Sequence, residues 1–194
     1  MKVLVFTPCL TENSFNNRLA ALCAEVATSK GVEVDYASFS EFEMPFYDRL
    51  MEETYGLPKG ARELNSRICA VDGVIIITPE YNCSMPGSLK NAIDWISRAS
   101  PMPFKGKVIQ LMSAGDDNQG GLQGLWSLRM PLESLKAFVL PQMFCLSHAA
   151  KAFDKRGELS DRGNAEQLSD IVEEFLLTVR RFKKHPVGSY ITVG

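Results

Sequence analysis

The sequence predicts one doubly wound α/β domain, a five-stranded parallel sheet with helices on both faces. Three observations lead there. Short apolar runs of strand length alternate along the chain with amphipathic helical segments, the order that right-handed crossovers wind into a parallel sheet. Two of those runs, residues 3–6 and 73–78, are nearly continuous in Val, Ile, Leu and Phe, as in strands buried on both faces. A chain of 194 residues, 45% of them hydrophobic, can build one core without help from disulfides or metal. Residues 1–194 are accordingly expected to form a single domain.

The elements follow in order. Residues 3–6 give the first strand, and a polar loop leads to a helix in which Phe15, Leu19, Leu22, Cys23 and Val26 recur at helical spacing. Gly31 stands where a glycine commonly follows a helix. Val32, Val34 and Tyr36 alternate as the second strand, with one less buried face. Residues 39–60 read as a long irregular segment containing Pro45, Gly56 and Pro58, and loops of that length tend to be functional. A helix over about 58–70 precedes the third strand, 73–78. The next helix, about 88–97, carries Leu89, Ala92, Ile93 and Ile96 on one face. Residues 108–112 form the fourth strand, and a Gly-rich loop over 113–124 enters a helix ending near Ala137. Residues 143–147 form the fifth strand. A last helix, about 164–184, buries Leu168, Ile171, Val172, Phe175, Leu176 and Val179. The tail, 186–194, is expected on the surface or against a partner subunit.

Composition excludes several function classes. Net charge is −2, so no electrostatic footprint for nucleic acid exists. The basic cluster Arg180, Arg181, Lys183, Lys184 and His185 falls at a helix end, where cations complement the dipole. Cys9, Cys23, Cys69, Cys83 and Cys145 contain no C-x-x-C pair, which fits neither a disulfide framework nor a zinc site and indicates a reducing compartment. No signal peptide or membrane-spanning run is legible, so the expected location is the cytoplasm.

In an open parallel sheet, ligands sit beyond the C-terminal strand ends where strand order reverses. Residues 7–16, 78–87 and 113–124 leave such ends, and each is rich in small, polar or turn residues. The first enters a helix amid Thr11, Asn13, Ser14 and Asn16. Free helix N–H groups with hydroxyl and amide donors there suit a phosphate, and plain N-capping by Asn13 or Ser14 explains them equally. The second, residues 79–87, holds two prolines and a glycine. That backbone presents its amides in set directions, with Tyr81 placed to stack on a planar heterocycle. G-x-G-x-x-G after the first strand, a Walker loop and a nucleophile elbow are all absent. His148 reads as packed or interfacial, Cys83 has no histidine partner, and Asp116 and Asp117, being adjacent, read as solvated.

Residues 79–95 carry P-E-Y-N-x-S-x-P-G-x-L-K-N-A-I-D-W intact, continued by Ser97 and Arg98. This stretch closely resembles the NADPH-dependent FMN reductase family, flavodoxin-like proteins that include quinone, azo-dye and chromate reductases. The likeness spreads more weakly along nearly the whole chain, through the Gly-rich third loop, Arg129 and the turn at residues 153–161. It implies a flavodoxin-like sheet of strand order 2-1-3-4-5, non-covalent FMN, NADPH or NADH as electron donor, and a homodimer or homotetramer. By that resemblance Pro79, Glu80, Tyr81 and Asn82 would line the isoalloxazine and ribityl region. Ser113, Ala114 and Gly115 would approach the other ring edge, and Thr11, Ser14 and Asn16 would hold the phosphate. The first loop departs from the family pattern G-S-L-R-x-x-S-x-N: it reads Pro8, Cys9, Leu10, Thr11, Glu12, Asn13, Ser14, Phe15, Asn16. Pro8 removes an amide donor, Cys9 is a weak one, and Thr11 replaces an arginine.

The resemblance implies an FMN-dependent NAD(P)H oxidoreductase that passes hydride to a small-molecule acceptor: a quinone, an azo compound, a flavin or a metal oxyanion. No protein acid or base is required, and no catalytic residue is named. Two other readings stay open at this point. One is a relative that has lost FMN and serves as a binding or regulatory protein. The other is a flavodoxin-like electron carrier, against which the low net charge argues.

Overall fold

Lys2–Thr7 (β1) and Gly73–Ile77 (β3) run side by side at the centre of the sheet, and every residue of β3 is buried. Their side chains alternate between two cores, as the period of a pleated strand requires. Val3, Val5, Ile75 and Ile77 face one core, while Leu4, Phe6, Val74 and Ile76 face the other. The computed structural model describes residues 1–11 and 13–184. Glu12 in the first loop, His185 in the basic cluster and the tail 186–194 lie outside the described residues.

The first core is closed by Phe15–Ser29 (α1) and, at the end of the chain, Arg162–Lys184 (α7), through Leu19, Cys23, Phe175 and Val179. Burial pushes the Cys23 thiol up to about 12, so this cysteine is an inert core residue. The second core is closed by Lys59–Cys69 (α3), Gly87–Ile96 (α4) and Leu122–Ser134 (α5). The sheet is parallel throughout, with β1 flanked by Glu33–Ser38 (β2) and β3 by Val108–Ala114 (β4). Its order, 2-1-3-4-5, is the one expected.

The fifth position differs from the expected single strand at 143–147. It consists of two short pieces on one edge of β4: Phe138–Val139 (β5) pairs with Val108 and Ile109, and Phe144–Leu146 (β6) with Met112 to Ala114. Pro141 lies in the break, and having no N–H it cannot continue the ladder. The buried Gln110 amide reaches across instead, donating to the Gln142 carbonyl at 2.8 Å. Arg129 of α5 secures the same edge through the carbonyls of Leu140 (2.6 Å) and Val139 (3.2 Å).

The segment 39–60 is also more ordered than its composition predicts. Phe39–Phe42 makes a 3₁₀ turn whose two rings pack on Phe6. Arg49–Tyr55 is helical (α2), capped by the Asp48 carboxylate, which accepts the Met51 N–H at 2.9 Å. A further short helix, Ala149–Ala152 (α6), follows β6. No helix among the described residues is long and apolar enough to cross a membrane.

Candidate functional site

Three loops leave the C-terminal ends of β1, β3 and β4, and strand order reverses between β1 and β3. The structure joins these loops to one another through side chains. In the first, the Thr11 carbonyl collects the Asn17 amide at 2.8 Å and the Ser14 N–H at 3.4 Å. Ser14 caps α1, its hydroxyl oxygen accepting the Asn17 N–H at 3.1 Å. The Thr11 side chain is exposed and makes no hydrogen bond among the described residues. Below the loop, the Thr7 hydroxyl is the one buried side-chain polar atom without a partner among the described residues.

Asn16, expected to contact the phosphate, bonds through its side chain inside the protein. It is buried, and its amide pairs in both directions with the Ala114 backbone: Nδ2 donates to the carbonyl at 2.9 Å, and Oδ1 accepts the N–H at 3.0 Å. This two-point clip ties the start of α1 to the end of β4. Two polar groups at the start of the third loop are likewise spent inside the protein. The Ser113 hydroxyl donates to the Gly120 carbonyl, and the Gly115 N–H donates to the Leu146 carbonyl at 3.0 Å. Beside them the Cys145 thiol is pushed up, chiefly by burial.

Glu80 joins the second loop to the third by accepting the Gly124 N–H at 2.8 Å near the start of α5. Tyr81 and Ser84 exchange backbone hydrogen bonds of 2.8 and 3.1 Å, with Asn82 (φ 51°) and Cys83 (φ 61°) both left-handed between them. That is a type I′ turn, which asparagine tolerates and cysteine enters only under strain. Tyr81, at the start of this turn, is 55% exposed. Pro79 is half-buried at its base.

The Gly-rich loop earns its glycines by close packing. A Cβ on Gly120, which is left-handed, would fall 2.7 Å from the Leu146 carbonyl carbon, and one on Gly124 would fall 3.1 Å from the Glu80 Cα. Asp116 and Asp117 are exposed but not idle. Asp117 accepts the N–H groups of Gln119 and Gly120, both at 2.7 Å, and Asp116 accepts that of Ala150 at 3.2 Å. His148 is exposed and caps α6 in a left-handed conformation.

The run after the second loop, residues 91–98, does separate work. Asn91 accepts the Tyr47 N–H at 2.7 Å and donates to the Pro45 carbonyl, which also takes the Trp95 indole N–H at 2.8 Å. Arg98 pairs with Glu52, whose carboxyl is held below its ordinary value by hydrogen bonds from Arg98 and Tyr47. The second half of the motif thus anchors residues 45–52. Pro45 and Phe46 line part of a cavity of about 560 Å³ that Leu10 of the first loop also borders, and none of the ten expected cofactor residues lines it.

A parallel sheet with three interlocked loops at its switch point, an open helix N-terminus in one and a rigid aromatic turn in another defines a flavodoxin-like nucleotide site. Comparison with known proteins narrows that class. Residues 1–151 match the NADPH-dependent FMN reductase family. A quinone reductase of Escherichia coli K12 is 32% identical over 185 residues, covering 94% of this chain and 97% of its own. An NAD(P)H-dependent FMN reductase of Pseudomonas aeruginosa is 34% identical over 188 residues, with the same coverage. Among solved structures, the flavoenzyme NAD(P)H:(acceptor) oxidoreductase FerB of Paracoccus denitrificans superposes with a TM-score of 0.77 at 26% identity, over 93% of this chain and 97% of that one. The chain belongs to the NADPH-dependent FMN reductase family.

Proposed function

We propose that this chain holds FMN across the three loops and reduces a small acceptor at the expense of NADH or NADPH. The observation that carries the reading is the cross-linking itself: Asn16 to Ala114 and Glu80 to Gly124 fix three ligand-facing loops at one switch point. Bound FMN would supply the hydride chemistry between nicotinamide and acceptor. The chain's own work is binding and orientation. Thr11 and Ser14 hydroxyls, with the first N–H groups of α1, hold the phosphate. Pro79, Tyr81 and the amides around Asn82 face the ring, and the left-handed turn keeps them in place without an induced fit.

Asn16, Glu80, Ser113, Ala114 and Gly115 serve the same site from behind, as the frame that sets the distance between loops. The buried, unpartnered Thr7 hydroxyl beneath the first loop fits a site completed by a ligand. The assembly is a homodimer or homotetramer, located in the cytoplasm, and the acceptor is a small molecule. Titrating the FMN-free protein with FMN tests the reading: saturable quenching of flavin fluorescence is expected. No saturation up to about millimolar FMN, an affinity under roughly 4 kcal/mol, would end it and favour a relative without flavin.

A further inference from the structure

The end of the sheet opposite the three loops carries a basic and partly apolar patch. Helix α7 arrives there beside the start of β5, with the Phe182 and Phe138 rings 4.5 Å apart. The Gly106 N–H donates to the Lys136 carbonyl at 2.8 Å, and the Phe138 N–H to the Lys107 carbonyl at 2.9 Å. These bonds bring the loop before β4 against the turn before β5. Lys105, Lys136, Arg181 and Lys184 therefore gather at one corner, with Arg180 beside them on α7, and all five are exposed. Leu177 stands at helical spacing before Arg180, Arg181 and Lys184, on the same side of α7. It is 43% exposed, as is Phe138.

The patch keeps its charge. The acids that border it are paired with other cations: Asp72 with Lys183 at 2.9 Å, Glu133 with Arg129 at 2.7 Å and Glu173 with Lys30 at 2.8 Å. Glu174, one turn before Leu177, is exposed and marks the limit of the patch. A helix dipole favours cations in the last turn. That accounts for Arg181 and Lys184, but not for Lys105 in its loop or for two exposed apolar side chains set among the charges. Cations around exposed apolar groups suit an anionic lipid surface, where the charges meet headgroup phosphates and the apolar side chains enter the boundary beneath them. A nucleic-acid backbone would engage the cations and leave Leu177 and Phe138 in water.

We infer that this patch docks the protein on the surface of a bilayer rich in anionic phospholipid. The length of β4, Val108–Ala114, separates it from the FMN loops by about 23 Å, so docking leaves those loops open to solvent. It requires neither FMN nor nicotinamide and stands or falls apart from the flavin reading.

Co-sedimentation of the 194-residue chain with vesicles of mixed phosphatidylglycerol and phosphatidylcholine tests the inference, with vesicles of phosphatidylcholine alone as the reference. Binding to the anionic vesicles is expected at low ionic strength, weakening as salt shortens the Debye length. Phosphatidylcholine alone should not bind. Each basic side chain removed should weaken binding about fivefold, so Arg181→Gln with Lys184→Gln should lose about twentyfold or more. Leu177→Ser, also at an exposed position, should lose about fivefold or more. Lys151→Gln with Lys155→Gln removes the same charge beyond the other end of the sheet and should bind as the unaltered chain does. Circular dichroism checks that each variant folds. Failure to bind the anionic vesicles, or equal binding to phosphatidylcholine alone, overturns the inference. So does an equal loss in the two Gln pairs. Polyphosphate bound as tightly as the vesicles, with Leu177→Ser unchanged toward both, would make the patch a site for soluble polyanions and likewise overturn it.

Discussion

Replacing Asn16 by alanine removes both hydrogen bonds that join α1 to β4, at 2.9 and 3.0 Å, and leaves the N–H and carbonyl of the buried Ala114 without partners. A buried hydrogen bond contributes about 1 kcal/mol net, and an orphaned group costs about 1–3 kcal/mol. With partial relaxation the variant should lose about 2–4 kcal/mol, or roughly 4–16 °C in melting temperature for a chain of this size. Urea unfolding followed by circular dichroism measures the first, and flavin titration should show FMN affinity reduced about tenfold or more. Asn16→Asp sharpens the test. Protonated, the carboxylic acid can both accept the Ala114 N–H and donate to its carbonyl. Ionised, it buries a charge and sets oxygen against oxygen. The folded-state pKa is therefore raised above the unfolded value of about 3.9. The variant should approach wild-type stability near pH 4 and lose it as pH rises through the folded pKa. A loss under about 0.5 kcal/mol in Asn16→Ala, with FMN affinity unchanged, would refute the clip as the frame of the site.

Gly124→Ala should leave stability nearly unchanged, since about 1 kcal/mol of helix propensity offsets the crowding. It should still weaken FMN, because the new Cβ sits 3.1 Å from Glu80 and pushes the second loop away; calorimetric melting and flavin titration read the two effects separately. Thr11→Arg should tighten FMN by about 1.5–3 kcal/mol, with a stronger salt dependence, and titrations at low and high ionic strength measure it. Burial tends to raise the Asp72 carboxyl, but the Lys2 N–H and Lys183 prevail and hold it below 3.8. Its contribution is present at neutral pH and lost as pH falls through that lowered value, so Asp72→Asn should flatten the acid limb of stability against pH.

The fold was legible where burial imposes a period. Residues 3–6 and 73–77 are apolar because both faces of β1 and β3 are covered, and α7 shows its buried stripe plainly. Legibility failed where no period exists. Helix α2 buries none of its residues, so nothing in its apolar spacing distinguishes it from a loop, and only Asp48 as a cap could have announced it. β5 is two residues long, below what any alternation can register. The loops of the site were found from their position after buried strands and from their turn residues. The partners within them were not. Asn16 meets a backbone group 98 positions away, and Glu80 meets one 44 positions away. The sequence marks Asn16 and Glu80 as polar residues in a ligand-facing loop, and contact with the ligand is the nearest reading. Only the assembled sheet shows that both also meet the third loop, at Ala114 and Gly124.

This division of labour bears on the missing guanidinium. Had the first loop been shaped by an arginine gripping the phosphate, Thr11 would leave it without form. The loop is instead held from inside, by Ser14 capping α1, by the Thr11 carbonyl and by Asn16. Charge and geometry are therefore separable. A cation added at Thr11 should act on the phosphate alone, strengthening FMN while leaving riboflavin, which lacks that group, unaffected. Loss of the Asn16 clip should weaken FMN and riboflavin alike, because it moves the loops that meet the ring as well as those that meet the ester. Independent effects add, so the double variant Thr11→Arg, Asn16→Ala should bind FMN with the sum of the two single changes. If arginine instead rescues the clip's loss in full, the phosphate contact shapes the loop after all, and the frame described here is a consequence of ligand binding rather than its precondition.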